Sequence, residues 1–149
     1  MKDLTPLAKL LEKLPAQKAS AHCDVPCGVY EPDSMTWAAE TCLKIAGKLE
    51  GLEMPPMSDK VHILEYLNTV SRAVAVKEEY AEICKKEVLI LWTDYFKPEH
   101  LDKWPDLSDK VWKITKHCSV VKRTVSSAEA QKLKDMVAEL ADIFRETKK

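Results

Sequence analysis

The chain has 149 residues, with 23 Lys+Arg set against 24 Asp+Glu for a net charge of −1. That length suits one compact domain and leaves no room for a second catalytic module. The balanced charge, with no basic block, weighs against nucleic-acid binding, and no run approaches the ~18 apolar residues of a membrane span. At 46% hydrophobic with only three glycines, the composition points to a helical core rather than β structure or disorder. Five cysteines, an odd number, do not make a disulfide framework, so reduced thiols or a metal site are expected.

In chain order, residues 1–21 come first (MKDLTPLAKLLEKLPAQKASA). They end in Ala-Ser-Ala, which mimics a signal-peptidase site. However, Lys9, Glu12, Lys13 and Lys18 break the apolar region that export needs, so a cytoplasmic location is expected. Leu4, Leu7, Leu10, Leu11 and Leu14 give this segment the spacing of a short amphipathic helix. The next stretch, His22-Cys23-Asp24-Val25-Pro26-Cys27-Gly28-Val29-Tyr30, is non-helical and crowds one imidazole and two thiols into nine residues.

Beyond Glu31 the apolar pattern repeats about every 3.6 residues, and four helices are expected. The first runs from about Asp33 to Leu49, entered through Pro32 and ended at Gly51, with Trp37, Cys42, Ile45 and Ala46 facing inward. Pro55-Pro56 forces a turn. Ser58 then caps a long second helix through His62, Leu64, Leu67, Val70, Val74, Tyr80, Ile83 and Cys84 to Phe96, where Pro98 stops it. The third covers roughly Asp106 to Lys122 on a stripe of Leu107, Val111, Ile114 and Cys118. The fourth starts at Ser126 with Glu129 at capping-box spacing and continues through Leu133, Met136, Val137, Leu140 and Phe144. With short connections, the simplest architecture is an all-α, up-down four-helix bundle over residues 31–149 carrying an N-terminal hook.

The hook is where chemistry concentrates. Thiolates with nitrogen donors select late transition metals, and Cys23 and Cys27 can reach one ion if the chain turns tightly between them, as Pro26 and Gly28 allow. CxxxC alone is a weak motif. The whole string HCDVPCGVY, with LWTDYFKP at Leu91 to Pro98 and FRETKK near the C-terminus, resembles the nickel superoxide dismutases from His22 to Lys149.

The resemblance implies that residues 1–21 are a propeptide, removed between Ala21 and His22 by a maturation protease, and that 22–30 is the nickel hook. It implies nickel held by the α-amine of His22, the backbone amide of Cys23 and the thiolates of Cys23 and Cys27, with the His22 imidazole axial. The ion would cycle between Ni(II) and Ni(III) to turn superoxide into dioxygen and hydrogen peroxide. In the uncut chain the His22 nitrogen is tied up in a peptide bond, so that form is expected to be inactive. By the same resemblance Tyr30 and Tyr95 flank the substrate channel, Asp24 and Cys27 border the pocket with backbone amides, and the assembly is a homo-hexamer. Lys97 would attract a small anion electrostatically.

Two positions depart from the family pattern: its glutamate beside the axial histidine falls on Ala38, and the neighbouring arginine on Tyr80. Such partners orient a ligating imidazole, so Tyr80 or Glu79 would have to take over, and the alternatives are a non-catalytic nickel- or copper-binding homologue or a metal-free CxxxC thiol redox protein. The remaining polar candidates read as structural. His62 and His100 lack spaced partners; His117 and Cys118 point apart on a helix. Cys42, Cys84 and Cys118 fit a core, Trp37, Trp92, Trp104 and Trp112 fit core or interface, and Lys77-Glu78-Glu79 fits a solvated face.

Overall fold

The computed structural model describes residues 29–149, and everything structural below concerns them. They form five α-helices and no strand: α1 (Asp33–Glu50), α2 (Lys60–Ile90), α3 (Pro98–Lys103), α4 (Leu107–Arg123) and α5 (Ser127–Thr147). A π-helical turn, Leu91–Tyr95, separates α2 from α3. α1 packs on α2 and α5, α2 on α4, and α4 on α5, so the four long helices close into a bundle. The expected all-α bundle is what forms, with α3 as an added turn.

Local chemistry explains the boundaries. The Asp59 carboxylate accepts from the His62 backbone N–H at 3.2 Å, capping α2 one residue after the expected Ser58. Ser126 Oγ accepts from the Glu129 N–H, as its spacing predicts. Glu129 does not complete the box, because its carboxylate is taken by Lys132 and His117. A second acceptor for the start of α5 arrives from α1, where Glu50 Oε1 receives the Ser127 N–H at 2.8 Å. That bond holds the Glu50 carboxyl below the usual range. Pro98 opens α3 from the first turn, the position its fixed φ favours.

The core is built for close approach. α1 contributes Ala38, Ala39, Cys42 and Ala46, and α2 contributes Ala73, Ala81 and Cys84, all buried. Larger side chains from α4 and α5, among them Leu107, Ile114, Leu133, Leu140 and Phe144, fill the space opposite. No described buried side-chain nitrogen or oxygen lacks a hydrogen-bond partner.

Several expectations are corrected. Trp37 faces solvent at 69% exposure, and Leu64 and Leu67, expected on the core stripe of α2, are 58% and 52% exposed. The reason is length: α2 has 31 residues against 18 in α1, and its buried positions begin only at Ala73. The second helix also stops being α-helical at Ile90 rather than running to Phe96. Lys77, expected on a solvated face, is 1% exposed. Its ammonium donates to the carbonyls of Val121 (2.5 Å) and Lys122 (2.7 Å) in the last turn of α4. Helix C-termini leave such carbonyls unpaired and carry partial negative charge, so a cation from α2 caps α4. Burial pushes the Lys77 pKa down.

Candidate active site: an aromatic platform at the end of the bundle

The candidate site is built where α1 begins and where α2 and α5 end. At Leu91 the hydrogen bonding of α2 widens by one residue, and the Phe96 N–H reaches the Leu91 carbonyl at 2.9 Å. Such π-turns shift every later side chain around the axis. Phe96 and Lys97 then run extended into Pro98, as the residue before a proline must. The result is that Tyr95 lies inward while Lys97 is exposed.

Tyr95 is the hub. Its ring lies 5.7 Å from Tyr30, 5.4 Å from Phe96 and 4.5 Å from Phe144, all tilted or edge-on. These are favourable aromatic geometries. His100 stacks on it at 5.8 Å with 17° between planes, and the His100 Nδ1 accepts the Lys97 backbone N–H at 3.1 Å, which fixes the ring. The Tyr95 hydroxyl meets Thr147 Oγ1 at 2.5 Å. Beside it, the Lys148 ammonium donates to the Tyr30 carbonyl (2.8 Å) and the Glu31 carboxylate (2.7 Å), and sits 4.6 Å from the Phe144 ring.

Tyr30 and Tyr95, both singled out in the sequence, are thus in contact. Lys97 is on the adjoining loop. His22, Cys23, Asp24 and Cys27 lie outside the described residues, as does the expected helix in 1–21. Sequence reasoning missed His100, Phe144, Thr147 and Lys148 as neighbours of the site. Thr147 and Lys148 stand in the FRETKK string and Phe144 on an apolar stripe, but nothing local assigned them to Tyr95.

The described residues contain no group of three or more His, Cys, Asp or Glu arranged to hold a metal ion. The three described cysteines, Cys42, Cys84 and Cys118, are free and buried. Burial pushes the Cys42 thiol up to about 11. The neighbouring Cys118 thiol and burial push the Cys84 thiol well above the usual range. These thiols serve the core. The donor set that suits nickel, two thiols, an imidazole and backbone nitrogen, is in His22 to Cys27, and Tyr30, three residues on, sits on the platform.

The fold defines the class: an all-α helical bundle with an aromatic platform at one end, entered by a segment of Cys and His residues. Residues 17–148 match the family model described as nickel-containing superoxide dismutase. The chain is 38% identical over 142 residues to the superoxide dismutase [Ni] of Streptomyces coelicolor, covering 94% of this chain and 99% of that protein. It is also 38% identical over 135 residues to that of Streptomyces seoulensis, covering 91% and 94%. Among solved structures, the native nickel superoxide dismutase at 1.30 Å superposes with a TM-score of 0.72 at 38% identity, covering 86% of this chain and all of that one. The chain belongs to the nickel-containing superoxide dismutase family. It is accordingly an enzyme, a superoxide dismutase, and its cofactor is nickel.

Proposed function

We propose that the hook preceding Tyr30 becomes the nickel site once the chain is cut between Ala21 and His22. The α-amine and imidazole of His22, the backbone amide and thiolate of Cys23, and the thiolate of Cys27 would hold the metal. Bound there, nickel supplies a one-electron couple, and anionic thiolate and amidate donors bring its higher oxidation state within reach. The observation that carries this reading is the placement of Tyr30, the last hook residue, 5.7 Å from Tyr95 on a platform fastened to α5. A segment of nine residues cannot bury itself, and this contact gives it a fixed root.

The remaining residues have matching tasks. Tyr30 and Tyr95 border the path of superoxide and exclude bulk water with their rings. The backbone amides of Asp24 and Cys27 border the pocket, where N–H groups suit an anion. Lys97, exposed on the loop beside Tyr95, raises the encounter rate of a small anion. We read the assembly as a homo-hexamer, supported by the exposed apolar stripe Val61, Leu64 and Leu67 on the overhanging start of α2. No helix among the described residues is long and apolar enough to cross a membrane, and the free thiols suit a reducing cytoplasm.

The test compares protein beginning at His22 with the uncut chain, measuring nickel content and superoxide consumption on both. The trimmed form should bind one nickel per subunit and consume superoxide. The uncut form should not. Equal activity in the two would refute the role of the His22 amine; trimmed, nickel-loaded protein without activity would refute the site.

A further inference from the structure

The Thr147 hydroxyl makes two short contacts that together fix a proton. Its Oγ1 lies 2.6 Å from the Phe144 carbonyl, three residues back in α5. A carbonyl only accepts, so the single hydroxyl proton of Thr147 is spent there. The Tyr95 hydroxyl, 2.5 Å from the same Oγ1, must therefore be the donor in that contact. Two consequences follow. The phenol proton points into the end of α5, and the Tyr95 oxygen keeps its lone pairs as its free hydrogen-bonding capacity. Tyr95 in this arrangement accepts from a water or a protonated species, and donates to an anion only by giving up Thr147.

The same turn of α5 holds the other tyrosine. Lys148 binds the Tyr30 carbonyl and Glu31, and Phe144 packs on the Tyr95 ring. Neither a strand nor a disulfide among the described residues shares this task.

We infer that the last turn of α5 is the positioning element of the active site, with Thr147 holding the Tyr95 phenol proton against α5 so that Tyr95 meets the substrate path as an acceptor. The inference rests on the reading that Tyr95 borders the path of superoxide. Thr147 acts through Tyr95 and is a positioning residue.

Thr147→Val keeps the shape and removes the acceptor, while Thr147→Ser keeps the hydroxyl. Resonance Raman of the full chain, nickel-free, reads the tyrosine Fermi doublet, whose intensity ratio reports whether a phenol donates. The ratio should rise in Thr147→Val, match wild type in Thr147→Ser, and show no Thr147→Val difference in a Tyr95→Phe background. In the nickel-loaded chain beginning at His22, Thr147→Val should lower kcat/KM about fivefold, the worth of one neutral hydrogen bond, and Thr147→Ser should restore it. An unchanged Raman ratio, or one that changes equally without Tyr95, overturns the proton assignment. A changed ratio with unchanged kcat/KM overturns the positioning role. Loaded wild type that consumes no superoxide overturns instead the site reading beneath both, while the Raman arm still tests the proton assignment.

Discussion

Replacing Lys77 by Met removes the cap on α4 while keeping most of the buried volume. The side chain is 1% exposed, and its ammonium makes two bonds to the Val121 and Lys122 carbonyls. Each charge-assisted bond is worth about 1.5–3 kcal/mol, and the favourable placement at a helix C-terminus about 0.5 kcal/mol more. Against this stands the cost of burying the charge, visible in the lowered pKa of Lys77. A net destabilisation of about 2–3 kcal/mol follows, which for a chain of this size lowers Tm by about 5–10 °C. Calorimetry on the full chain measures it. The pH dependence supplies a second check. Because the folded pKa is lowered, the unfolded chain binds more protons between that value and the ordinary one, so this group's contribution rises with pH there. The gap between wild type and Lys77→Met should therefore hold or widen into the alkaline range. A variant melting within about 1 °C of wild type would refute the capping account, and a gap that closes as pH rises would show that the bonds to the carbonyls outweigh the burial that lowers the Lys77 pKa.

Two further outcomes follow from charge and exposure. The Ser127 N–H holds the Glu50 carboxyl below its ordinary range, so its stabilisation is present above the usual glutamate pKa and lost as pH falls through the depressed value. Urea midpoints should place Glu50→Gln below wild type at neutral pH, with the two converging below about pH 4; a gap that persists in acid would show that the bond does not depend on the charge. If the overhanging start of α2 is an interface between copies, Leu64→Glu with Leu67→Glu should reduce the mass seen in sedimentation velocity while leaving the helical circular dichroism unchanged, and an unchanged mass would place the interface elsewhere.

Periodicity and capping signals found the four long helices because both are local. Ser126 with Glu129, and the stripe Leu107, Val111, Ile114 and Cys118, carry their meaning within one or two turns. The errors lie where the deciding partner is remote. An apolar stripe says that a face is covered but not by what, so Leu64 and Leu67 looked like core although α2 outruns its neighbours. Lys77 looked solvated because its partners are carbonyls 44 and 45 positions away. The π-turn left no trace in the apolar pattern, since a one-residue change in hydrogen-bond register needs no change of composition. α3 was legible in principle from Pro98 followed by Glu99, an N-terminal pairing that six residues of helix made easy to pass over. At the site, Tyr30 and Tyr95 were found through the family strings that contain them. Thr147 and His100 were not, because each matters only through a contact with Tyr95 that the fold creates.

Ala38 and Tyr80 allow the departure from the family pattern to be tested as physics. Ala38 is 1% exposed on α1, and Tyr80 packs half-buried against the same core from α2. The glutamate and arginine that the resemblance implies for these positions would put two charges where this chain has a methyl group and a phenol ring. Replacing a partly buried ion pair by apolar groups is often neutral or stabilising, whereas one charge without the other is costly. Ala38→Glu alone should therefore destabilise the bundle by about 3–5 kcal/mol. Adding Tyr80→Arg should return about 1–3 kcal/mol of that as coupling if the two positions still form one pair. Urea unfolding of the nickel-free full chain gives all four corners of the cycle. Energies additive to within about 0.5 kcal/mol would mean that the two changes are independent, and that this chain did not exchange a charged pair for an apolar one as a unit.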